Sequence, residues 1–166
     1  MFKTLNEQRR SIRKYEDRPV EREKLIQILD AGRMAPSARN DQKWKFVMVT
    51  DPAKLAHTVE VCNGQKWTAS APAVLVVCGE ESRVMTCGQD ALTVDASIAT
   101  TVMMYQAQDL GLGSCWIASF LPDKAKELYG VPDELTPVAV LTLGYPAETP
   151  APRPRKELDE VAVMME

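Results

Sequence analysis

Asp109-Leu110-Gly111-Leu112-Gly113-Ser114-Cys115-Trp116-Ile117 is the stretch that decides which fold this chain takes. It closes the longest helical pattern, Asp90 to Leu110, which carries Leu92, Ala96, Ala99, Val102, Met103 and Ala107 on or near one face. The glycines end that helix, and Ser114 to Ile117 then reads as a strand. Gly111-Leu112-Gly113 is the only Gly-x-Gly in the chain, and it follows a helix and precedes a strand. A dinucleotide-binding turn needs the opposite order, strand first and helix after. The Rossmann fingerprint is therefore absent.

Outward from that point the pattern alternates. Pro122 to Tyr129 predicts a short helix closed by Gly130, and Pro137 to Leu143 a buried strand. The segment from Gly144 to Arg155 holds prolines 146, 150, 152 and 154, so it is extended and cannot be a helix or a sheet centre. Upstream, Ala73 to Cys78 is a short apolar run typical of a buried strand. Before it come a helix over Pro52 to Val61, a strand over Lys45 to Thr50 and a polar loop, Pro36 to Gln42. A helix opens at Pro19, with Glu21 and Glu23 near its positive end, carries Leu25, Ile26, Ile28 and Leu29, and is stopped by Pro36. Residues 2–9 read as a further short helix. Alternation of this kind ordinarily suggests a parallel doubly wound sheet, and pattern alone leaves that open.

With 166 residues, and no repeat or low-complexity linker, the chain is expected to be one domain spanning 1–166. Its 45% hydrophobic and 26% charged content is that of an ordinary globular protein. Twenty basic against 23 acidic side chains leave a net charge of −3, which argues against nucleic acid as a partner. The longest apolar run, Ala71 to Cys78, falls far short of the ~20 residues that span a bilayer. Residues 1–6 show no hydrophobic signal core, so no membrane association and a cytoplasmic location are expected. Cys62, Cys78, Cys87 and Cys115 form no C-x-x-C pair, and the lone His57 cannot complete a metal cluster or a nucleophile elbow. No metal site and no catalytic acid–base residue are expected. If the protein is an enzyme, a cofactor carries its chemistry.

Four local constellations can bind a ligand. Arg9-Arg10-Ser11-Ile12-Arg13 offers three guanidiniums and a hydroxyl within five residues, enough for a dianionic phosphate. By itself the run reads more readily as a solvated basic face. Arg153-Pro154-Arg155-Lys156 repeats the chemistry on the tail, where a solubilising role is the plain alternative. Pro36-Ser37-Ala38-Arg39-Asn40-Asp41-Gln42-Lys43-Trp44 is either a polar cradle or a turn into a strand. Asn63-Gly64-Gln65-Lys66 presents an amide and an ammonium, or simply links two helices.

Taken together and in order, these segments resemble the nitroreductase family of FMN-dependent oxidoreductases, over nearly the whole chain. The resemblance is carried by Arg9 to Tyr15, by Ala35 to Phe46, by Asp109 to Ile117 and by the ending Leu143-Gly144-Tyr145-Pro146. It implies an α+β sandwich with a mostly antiparallel central sheet flanked by helices, assembled as an intertwined homodimer. It also implies that Arg9, Arg10, Ser11 and Arg13 bind the FMN phosphate and nearby ring edge, with Arg153 and Arg155 closing on that phosphate. Pro36, Ser37, Ala38 and Asn40 resemble the stretch that lines the flavin from the partner subunit. Asn63 and Lys66 fall near the ring or the nicotinamide, and the backbone amides of Ile117, Ala118 and Ser119 approach flavin N5. Lys43 stands where the family usually has proline, and Ala118-Ser119 where it usually has glycine. Only Glu80 to Gln89 is available as a lid.

The implied activity is hydride transfer from NADH or NADPH through FMN to a nitroaromatic, quinone or similar small-molecule acceptor. The alternatives are a relative reducing another substrate, such as a halogenated aromatic, and an FMN-binding or storage protein without significant turnover.

Overall fold

The run Ala73–Gly79 becomes β2, and all seven of its residues are buried in the computed structural model, which describes residues 2–165. A strand buried on both faces must be central, and β2 is. On one side it pairs antiparallel with β1 (Trp44–Val49), on the other with β4 (Thr136–Gly144). The antiparallel strand β3 (Gly113–Ile117) adds to the far edge of β4, giving the order β1-β2-β4-β3. The mostly antiparallel α+β expectation holds, and the doubly wound alternative falls away.

Alternate residues of β2 feed two cores. Ala73, Leu75 and Val77 face α2 (Arg22–Arg33) and the long α5 (Ala91–Asp109), against Ile28, Ala96 and Met103. Val74, Val76 and Cys78 face the other layer, with Val61, Ala125 and Tyr129 from α4 (Thr58–Val61) and α6 (Pro122–Tyr129). Each fully buried aliphatic side chain contributes roughly 1.5–3 kcal/mol, so the central strand anchors both layers.

Three predicted boundaries are corrected. The helix expected from Pro19 starts at Arg22, because Glu21 is its extended N-cap and its carboxylate accepts from the Tyr145 hydroxyl at 2.6 Å. The helix expected over Pro52 to Val61 is broken into α3 (Pro52–Leu55) and α4. There the Thr58 hydroxyl donates to the Leu55 carbonyl at 2.6 Å and competes with the helical ladder, leaving His57 exposed between the two turns. The tail is extended to residue 157 as expected, but a last turn, α7 (Leu158–Val161), closes with a capping box between Glu157 and Glu160. The amino-terminal helix α1 covers Phe2–Gln8.

Gly113 decides how the amino-terminal segment sits. Ile12 donates its N–H to the Ser114 carbonyl at 2.9 Å, so residues 11–12 run along the open edge of β3. A Cβ on Gly113 would stand 2.6 Å from Ile12 Cγ1. Only glycine lets the two backbones approach this closely.

Candidate phosphate and ring-binding site

Tyr15 fixes the arginine segment from below. Its hydroxyl donates to the Ile12 carbonyl at 2.8 Å and shares a second 2.8 Å bond with the Thr142 hydroxyl of β4. Burial pushes the Tyr15 phenol well above its ordinary range, so it stays a neutral pin. The tail is held against the same segment. Glu16 donates to the Tyr145 carbonyl and Ala147 to that of Lys14, each at 2.9 Å, and Glu148 accepts from the Arg13 N–H at 2.6 Å.

Those bonds bring the two basic runs together. Arg9, Arg10, Ser11 and Arg13 from one end of the chain and Arg153 and Arg155 from the other line one open cavity of about 670 Å³. Among the described residues, no carboxylate makes an ion pair with any of these five guanidiniums. Two of them are partly engaged with backbone. Arg10 donates to the carbonyls of Glu7 and Arg9, and Arg155 to those of Arg153 and Pro154. Concentrated positive charge beside a hydroxyl suits a phosphate dianion.

A second group adjoins the first through Trp67, whose ring lies 5.8 Å from the Arg13 guanidinium. Asn63, in the left-handed region at φ 52°, and Gly64, at φ 79°, turn the chain after α4. The Asn63 amide donates to the Ser119 hydroxyl at 3.2 Å, and Gln65 donates to the Ser119 carbonyl at 2.9 Å. Asn63, Lys66, Ala118 and Ser119 are all exposed on this wall, while the Ile117 side chain is buried in the core and offers only its backbone.

The third group is not brought to the first two within one chain. Pro36, Ser37, Ala38 and Asn40 precede β1, at the opposite edge of the sheet from the β3 side that carries the arginines. Their loop is strained: Arg39, Asn40 and Gln42 all take positive φ, at 57°, 59° and 51°. The Ala38 N–H is held by the Asp95 carboxylate of α5 at 3.0 Å. Lys43 pairs with Glu81 at 3.0 Å, and Arg83 pairs with Asp41 at 3.2 Å. The short segment 80–90 is thereby tied to this loop.

Gln65 and Trp67 escaped the sequence reading as site residues, since a turn glutamine and a tryptophan carry no distinguishing local signal. Among the described residues, no helix is long and apolar enough to cross a membrane.

The α+β fold thus places a guanidinium-lined pocket at the β3 edge, with an amide-bearing turn beside it. The nitroreductase family model matches residues 7–93 and 55–145, and the chain belongs to that family and is an oxidoreductase. It is 32% identical over 193 residues to the NADH dehydrogenase of Thermus thermophilus, covering 97% of this chain and 94% of that one. An NAD(P)H FMN reductase of Bacillus subtilis is 33% identical over 164 residues, covering 88% of this chain and 66% of its own. The structure of an FMN-dependent nitroreductase from Clostridium difficile superposes with a TM-score of 0.81 at 32% identity, covering 97% of this chain and 96% of that one.

Proposed function

We propose that this chain is a single FMN-binding domain that works as an FMN-dependent NAD(P)H oxidoreductase, passing hydride to nitroaromatic, quinone or similar acceptors. One observation carries the reading: five guanidiniums from both chain ends around one cavity, none of them ion-paired with a carboxylate among the described residues. The donor set fits FMN. A terminal phosphate needs charge-assisted donors, which Arg9, Ser11, Arg13, Arg153 and Arg155 supply, with Arg10 bracing the α1 end. The ring needs donors along one edge, which the Asn63 amide, the Lys66 ammonium and the backbone of Ile117, Ala118 and Ser119 supply. Bound FMN contributes a two-electron carrier that accepts hydride from NAD(P)H and returns it to the acceptor. The residues of this chain bind it, orient it and stabilise negative charge as it accumulates, Lys66 by its ammonium and Ala118-Ser119 by their N–H groups. No side chain has to move a proton by acid–base exchange, which accords with the single, exposed histidine.

The displaced loop Pro36-Ser37-Ala38-Asn40 fits the same scheme in an intertwined homodimer, where it lines the flavin held by the other subunit. Purified protein is expected to be yellow, with about one FMN per chain, and to oxidise NADH or NADPH when an acceptor is added. Turnover separates the enzyme from a flavin store. A colourless protein that takes up no FMN on titration would falsify the reading.

A further inference from the structure

Gln65 is a half-buried amide with both polar side-chain atoms bonded. Its Nε2 donates to the carbonyls of Cys62 at 3.1 Å and Ser119 at 2.9 Å, and its Oε1 accepts from Trp67 Nε1 at 3.3 Å. The backbone closes the turn locally: its N–H donates to the Cys62 carbonyl at 3.2 Å, and its carbonyl accepts from the Thr68 amide at 3.0 Å and hydroxyl at 2.7 Å. A turn needs only those local bonds. The bond to Ser119 reaches across 54 residues, and the bond to Trp67 orients the ring on which Arg13 lies.

Three parts of the site therefore meet on one amide: the Asn63–Lys66 turn, the backbone leaving β3, and the aromatic support of Arg13. The residues of that backbone, Ala118 and Ser119, are exposed and lie beyond the last ladder pair of β3, Ile117 with Val140. An N–H stabilises developing charge only when it is already aimed. Holding the Ser119 carbonyl fixes the Ser119–Phe120 peptide and restricts rotation about the Cα–C bond of Ser119, which tethers the far end of the Ala118-Ser119 segment.

We propose that Gln65 is a positioning residue of the flavin site, aiming the Ala118-Ser119 backbone at the ring while seating Trp67 beneath Arg13. This rests on the FMN reading above. Glutamine suits the task because one amide both donates and accepts. Gln65→Glu keeps the size and the acceptor for Trp67 but loses both donations, and Gln65→Leu loses all three bonds.

The test compares wild type with both variants for the midpoint potential of the bound flavin, the dissociation constants of FMN and riboflavin, and kcat against acceptor KM. Both variants are expected to shift the potential to more negative values and lower kcat with little change in KM. Riboflavin should weaken by roughly 3- to 10-fold, the scale of one neutral hydrogen bond, and FMN by at least as much, because Trp67 also supports the phosphate donor Arg13. Variants with wild-type potential and flavin affinities, changed only in thermal stability, would make Gln65 a residue of the turn alone. Failure of both to fold would overturn the proposal in the same way. A wild-type protein that binds no flavin would remove the FMN reading itself, before any variant is compared.

Discussion

At the residue scale, arginines that look alike in sequence have different surroundings. Arg13 lies over Trp67 and beside the cavity, whereas Arg10 already donates to two backbone carbonyls at the end of α1. Replacing Arg13 with Ala is expected to weaken FMN by about 1.5–3 kcal/mol, the scale of a charge-assisted hydrogen bond. Arg10→Ala and Arg155→Ala should cost less at the phosphate, because both guanidiniums already donate to two backbone carbonyls. Riboflavin, which lacks the phosphate, should bind all three variants nearly as it binds wild type, and titration of both ligands reads the difference. Equal losses for the two ligands would place these side chains elsewhere.

At the scale of elements, one polar cluster locks the end of β4 to α2 and α5. Tyr145 donates to Glu21 at 2.6 Å, Lys24 donates to the Tyr145 hydroxyl at 2.8 Å and to the Leu110 carbonyl at 3.0 Å, and the Arg18 guanidinium covers the Tyr145 ring. The Tyr145 hydrogen bond first, then the Glu21 backbone, Arg18 and Lys24, hold the Glu21 carboxyl down to about 2 from its ordinary 4.5. A depressed carboxyl stabilises the fold fully above its unfolded pKa, and that contribution fades as pH falls through the folded value. Wild type should therefore lose thermal stability faster than Glu21→Gln between about pH 4.5 and 2. Parallel melting curves over that window would show that the cluster is too solvated to matter.

For the whole molecule, the tail carries a run of exposed apolar side chains, Leu158, Val161, Val163, Met164 and Met165, whereas Ile26, Met34, Val84 and Leu121 are exposed singly elsewhere. An arm laid across a second copy would cover that run while presenting Arg153 and Arg155 to the phosphate. Deleting the chain after Tyr145 is therefore expected to abolish both dimerisation and flavin content, read by size-exclusion chromatography at roughly the protein and flavin absorption bands. A frayed terminus predicts an unchanged yellow dimer instead. Much of this was legible in the sequence. The apolar run of β2, the helix Pro122–Tyr129 and the long α5 follow from local periodicity and capping, which act over a few residues. The break at His57 was not, because a hydroxyl competing for one carbonyl leaves no trace in hydrophobic pattern. Strand order was not determined by local pattern either, since helices and strands alternate in parallel and antiparallel folds alike. The sequence by itself determined where most helices, strands and basic runs fall, and only the family resemblance implied that the basic runs meet at a phosphate. Only the tertiary structure decided that Arg13 meets the tail through Glu148, 135 residues away, and that Gln65 meets Ser119. Such contacts depend on how the sheet orders its edges, and that order follows from packing two layers on β2 rather than from any one segment.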